Sequence, residues 1–167
     1  ENDRRHRASM EAYNPATGLG CYGSRQDVTI ADAPIPLQHI PRQMLSDCHW
    51  AALLAQDGSI DTFITKRLHK RPSKRLRSDI WSLWIKERIR YDFEFWTAMF
   101  VKIKDKLGPN DIPFILNRPQ RRYVAMLEQQ RTGNKPIRVI MLKARQWGGS
   151  TVTQIYMAWL QLVHLRN

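Results

Sequence analysis

The stretch that most restricts what this chain can fold into is "IRVIMLKARQWGGSTVTQIYMAWLQLVHL", residues 137 to 165. Its opening, "IRVIMLK", is short and rich in β-branched and large apolar residues, which predicts a strand buried on both faces of a parallel sheet. A glycine pair then frees the backbone to turn tightly. "STVTQIYMAWLQLVHL" follows as a buried helix. A strand, a glycine turn and a helix in that order place the chain in the α/β class.

The turn itself approaches the phosphate-loop pattern G-x-x-x-x-G-K-[ST]. Gly148 and Ser150 fall in register, but Gly149 stands in the lysine slot and Lys143 in that of the first glycine. Glycines let backbone N–H groups face an anion, and a helix starting near Ser150 adds its positive end at the same point. The Ser150 hydroxyl sits where Mg²⁺ is held. Lys143, at the end of the strand, has a stem long enough to fold across the mouth of the loop, and Arg145 is a second cation. The alternative is a plain left-handed turn with Lys143 and Arg145 as surface charges.

Three regions are expected. Residues 1–48, with "NPATGLG" and "APIPLQHIP", read as an extended arm rich in turns. Residues 49–107 read as helical. In them Trp81, Trp84, Ile85, Ile89, Phe93, Trp96, Phe100 and Ile103 recur at three- and four-residue steps, predicting one helix over 78–106 capped by Ser78. Residues 108–167 begin with the breaker "LGPND". They continue through a helix with Pro119 in its first turn, buried by Tyr123, Val124 and Leu127, then the turn "TGNKP" and the strand–loop–helix. Glu1 in place of a Met reads as the start of a fragment.

Charge narrows the partner. A formal net charge of +12 attracts polyanions, nucleic acid first and an acidic membrane surface second. No apolar run approaches the roughly 20 residues of a membrane span. The run "KRLHKRPSKRLR" concentrates the charge in Lys66, Arg67, Lys70, Arg71, Lys74, Arg75 and Arg77. Such a run is either a solvated face or a contact to phosphates. Two cysteines without a C-x-x-C pair suggest neither a disulfide scaffold nor a zinc site. His6, His39 and His49 share no helix-face spacing with a third donor.

At "KARQWGGS" the chain resembles the large subunit of tailed-phage terminases, ATP-driven motors that package DNA. That family carries loops of the form R-Q-x-G-K-[ST], and some members place the lysine at the first position of the loop. Here Arg145-Gln146 precede Gly148, with Lys143 at the front. "LNRPQRR" is similar to the family's L-R-x-x-Q stretch, with Gln120 in the place of the adenine-recognising glutamine. An amide offers the acceptor and donors that adenine's edge requires. The likeness covers residues 114 to 167.

The resemblance implies a mostly helical N-terminal region followed by the first strand, phosphate loop and helix of an incomplete P-loop NTPase domain, RecA/ASCE-like. It implies ATP and Mg²⁺ as ligands. Gln120 would read adenine, and Lys143, Ala144, Arg145, Gln146, Trp147, Gly148, Gly149, Ser150 and Thr151 would line the nucleotide, with Lys143 and Arg145 stabilising phosphate charge. Implied partners are double-stranded DNA, a small subunit, a portal ring and further large subunits in the cytoplasm of a bacterial host.

Hydrolysis needs an acidic residue on a later strand to hold Mg²⁺ and a carboxylate to orient water. No apolar run ending in Asp-Glu follows Ser150, and no acidic cluster of the nuclease type is present. The chain is therefore expected to bind nucleotide without turning it over. Two other readings remain: a non-enzymatic basic module that binds nucleic acid through residues 66 to 77, and a helical scaffold whose charge keeps it dissolved.

Overall fold

The computed structural model describes residues 25–105, 108–134, 136–142 and 147–164. They are mixed α/β and mainly helical, with two small antiparallel sheets. They belong to two compact units, one ending at Asp92 and the other beginning at Phe93.

The first unit opens with a hairpin of β1 (Arg25–Thr29) and β2 (Leu37–Pro41), in register from Arg25 opposite Pro41 to Thr29 opposite Leu37. Four helices follow: α1 (Arg42–Asp47), α2 (His49–Asp57), α3 (Ile60–Leu68) and α4 (Lys74–Tyr91). Residues 25–47 were expected in an extended arm, yet Ile30, Ile40 and Met44 are completely buried with Leu54, Ile64 and Trp84. The prolines mislead because they avoid the ladder. Pro34 and Pro36 lie in the connection and Pro41 at a strand end, where a missing N–H costs little.

Local chemistry sets the helix ends. Gly58 stops α2 in the left-handed conformation at φ 69°. Ser59 caps α3 by accepting from the N–H of Thr62, and Asp32 accepts from the N–H groups of Ile60 (2.6 Å) and Asp61 (2.8 Å). Ser73, not Ser78, caps α4, through the N–H of Leu76.

The expected long helix over 78–106 is divided. α4 ends at Asp92, with φ −125° and ψ 82°, and α5 (Phe93–Phe100) takes over in the second unit before a short hairpin of β3 (Lys102–Lys104) and β4 (Asp111–Pro113). The cause is Asp92 itself. Its carboxylate, almost fully buried, accepts from Arg25 at 2.6 Å and from Arg88 at 3.3 Å. The Arg88 contact is an i,i+4 pair that a continuous helix also permits, so Arg25 is the partner particular to the break.

The second unit continues with α6 (Arg118–Thr132), α7 (Gly149–Trp159) and one π-helical turn, Leu160–His164. Pro119 lies in the first turn of α6, and Tyr123, Val124 and Leu127 form its buried face, as expected. Phe93 stands 5.3 Å from Tyr156 and 5.4 Å from Trp159, ring centre to ring centre. These aromatics join α5 and α7.

The expected parallel strand does not form. Residues 136–142 belong to neither sheet, and Ile140 and Leu142 are fully exposed. A strand apolar on both faces needs neighbours on both sides, and the described residues offer none. Among them, no helix is long and apolar enough to cross a membrane.

Candidate functional site

The glycine turn and the start of α6 come together in the second unit. Gly148 adopts φ 81° and precedes α7, whose first turn has no side-chain cap. The first amides of a helix have no partner within it. Ser150 and Thr151 are exposed there, while Gly149 is buried against the Trp147 indole. A Cβ at position 149 would lie 2.6 Å from Trp147 Cζ2, so only glycine fits the indole in this place. Trp147 meets Tyr123 of α6 edge-on, 6.0 Å between ring centres.

Gln120 lies in the same place. Its N–H donates to Asn117 Oδ1 (3.0 Å) while its Oε1 accepts from the Asn117 N–H (2.9 Å), a reciprocal cap on α6. Its Nε2 donates to the Trp147 carbonyl (3.2 Å), with the Gly148 carbonyl at 3.5 Å, and Asn117 Nδ2 reaches Trp147 at 3.4 Å. Only 5% of the residue is exposed. The glutamine singled out for adenine is thus the tether between the helix start and the glycine turn. Lys143, Ala144, Arg145 and Gln146 lie outside the described residues.

Sequence reasoning missed a polar cluster behind this turn. The Tyr156 hydroxyl donates to Glu128 Oε1 at 2.6 Å, Arg131 grips Glu128 at 2.7–2.8 Å, and the Arg131 guanidinium lies 5.4 Å from the Trp159 ring centre. Burial first, and then the Glu128 charge, push the Tyr156 phenol well above its ordinary range. It is a fixed donor at any physiological pH. The only trace of it in the sequence is the Glu128/Arg131 spacing of three.

The basic run occupies the end of α3, the turn after it and the start of α4. The structure sorts its seven cations. Lys66 and Arg67 pair with Asp57 at 3.0 and 2.9 Å, and Arg77 pairs with Asp61 at 2.5 Å. The Arg67 and Lys66 hydrogen bonds hold the Asp57 carboxyl below its ordinary range. Lys70, Arg71, Lys74 and Arg75 are exposed and make no ion pair with the described residues.

Among the described residues, no three His, Cys, Asp or Glu side chains gather to hold a metal ion. Ser150 offers one exposed hydroxyl, which suits a Mg²⁺ ion arriving with a nucleotide better than one held by the protein alone. The chain matches no protein-family model, no curated protein and no solved structure.

Proposed function

We propose that this chain is the N-terminal part of a DNA-packaging ATPase of the terminase large-subunit kind, and that the turn before α7 receives the phosphates of ATP. The observation that supports this reading is the tether: Gln120 and the glycine turn, named separately from their sequence contexts, are joined by a 3.2 Å hydrogen bond across 27 residues. A phosphate at the uncapped start of α7 would meet backbone N–H groups and the positive helix end. Lys143 and Arg145 precede this turn in the sequence and would supply the cations.

In this reading the described turn positions the phosphates, and Ser150 or Thr151 offers a hydroxyl to the Mg²⁺ that travels with them. Reading adenine through Gln120 would require Nε2 to leave the Trp147 carbonyl and Oε1 to leave the Asn117 N–H, so nucleotide binding should loosen both the tether and the cap on α6. Residues 136–142 would be the first strand of the P-loop sheet, with neighbouring strands supplied by a longer protein. Turnover needs the acidic strand that this sequence lacks.

The test is equilibrium binding of a fluorescent ATP analogue with Mg²⁺ to the full chain. Saturable binding without hydrolysis is expected, lost in Lys143→Ala and weakened at least tenfold in Gln120→Ala. No binding by the unsubstituted chain would sink the reading. A basic nucleic-acid module is the second reading, favoured by the four exposed cations that make no ion pair with the described residues, and it expects DNA binding indifferent to nucleotide.

A further inference from the structure

We infer that the knuckle between α3 and α4 is a sequence-blind docking surface for the phosphate backbone of duplex DNA, and that only Lys70, Arg71, Lys74 and Arg75 make the contact. This deepens the nucleic-acid part of the function proposed above and does not depend on the nucleotide site.

Asp57 and Asp61 pair with Lys66, Arg67 and Arg77, and the other four cations, within a span of six residues, make no ion pair with the described residues. The three paired cations hold the scaffold: Arg77 ties α4 to α3 through Asp61, and Arg67 ties the end of α3 to the end of α2 through Asp57. His69, left-handed at φ 53°, closes α3, and the Ser73 cap opens α4. The four remaining cations therefore project from a turn fixed at both ends, which lowers the ordering cost of binding.

Local energetics point the same way. Lys74 and Arg75 occupy the first two positions of α4, whose first turn has no acidic residue. Cations at the positive end of a helix are unfavourable, and neighbouring anions relieve them. Residues 66 to 77 contain no Phe, Tyr or Trp, which leaves His69 as the single ring on which a base of a single strand could stack. They contain neither Asn nor Gln, the side chains that read adenine, and their Arg and Lys side chains suit guanine edges and phosphates alike, so the comparison of duplex sequences below decides between the two. Leu68 and Leu76 are the only aliphatic residues there, and Leu76 packs against the core. That leaves too little apolar surface to enter a bilayer. A regular array of phosphates is the partner that fits.

The experiment is fluorescence anisotropy of the full chain with a 20-base-pair duplex of arbitrary sequence at several KCl concentrations. Each phosphate neutralised contributes about 0.9 to the slope of log K against log salt, so losing four contacts should make the slope shallower by roughly 3.6. Converting Lys70, Arg71, Lys74 and Arg75 together to Gln should do this and weaken binding roughly 100-fold or more at 50 mM salt. Lys66→Gln should change affinity less than threefold. Asp61→Asn, which releases Arg77, should tighten binding and steepen the slope by about one contact.

The inference is overturned by a fourfold variant, folded by circular dichroism, that keeps the parent's slope. An equal loss in Lys66→Gln, a tenfold preference between duplex sequences, stronger binding to single strands, or binding only to anionic vesicles would overturn it as well. The ATP-analogue titration on the same fourfold variant separates the two sites. Nucleotide binding retained with DNA binding lost supports this inference, whereas both lost together would contradict the independence of the knuckle.

Discussion

Replacing Asp92 by Asn tests whether one buried charge fixes the end of α4. The substitution preserves shape and removes the counterion of Arg88, which is 1% exposed and itself donates to Gln38 Oε1 at 3.0 Å. Breaking a buried pair from one side costs about 3–5 kcal/mol. Arg25 is 11% exposed at its side chain and can recover some water, which argues for the lower end, about 3 kcal/mol. With the first unit, described over residues 25–92, unfolding by itself, each kcal/mol moves Tm by about 4–8 °C, so a fall of about 12–24 °C is expected.

Thermal unfolding followed by circular dichroism at 222 nm measures the shift, and amide exchange in peptides from residues 74–91 assigns it to the first unit. A fall of less than about 4 °C would mean that the pair is effectively solvated, and the account of the helix break would be wrong. Removing both partners, Arg88→Met with Asp92→Leu, should cost less than the two single losses added together, with a coupling of about 1–3 kcal/mol.

Two further outcomes concern the helix starts. Burial pushes the Asp32 carboxyl up, but the N–H groups of Ile60 and Asp61 and the Ser59 hydroxyl outweigh it and hold it below the ordinary range. Its stabilisation is therefore complete above the unfolded value of about 3.9 and disappears as pH falls through the lower folded value. Asp32→Ala should cost about 1 kcal/mol in urea unfolding at pH 7, and parent and variant should converge below about pH 4; a gap that stays constant into acid would refute this. In Gly148→Ala the new Cβ would meet Gln120 Nε2 at 2.6 Å in a left-handed backbone. A loss of about 2 kcal/mol is expected, with faster exchange of the first amides of α7; unchanged exchange would show that the Gln120 tether is not what orders the turn.

Signals that act within a few residues could be read from the sequence. Pro119 and the Tyr123, Val124 and Leu127 face located α6, and the glycine pair located the turn before α7, because caps, turns and helical periodicity depend on near neighbours. What tertiary structure alone decided involves partners far apart in the chain. Asp92 divides a continuous apolar stripe because Arg25, 67 residues away, reaches it. The Pro-rich stretch becomes β2 because β1 and the core receive it. "IRVIML" has the composition of a buried strand but forms none among the described residues, since a strand is completed by neighbours and not by its own sequence. Seven cations look alike in the sequence; two aspartates, placed by folding, divide them into three that hold the scaffold and four that face outward.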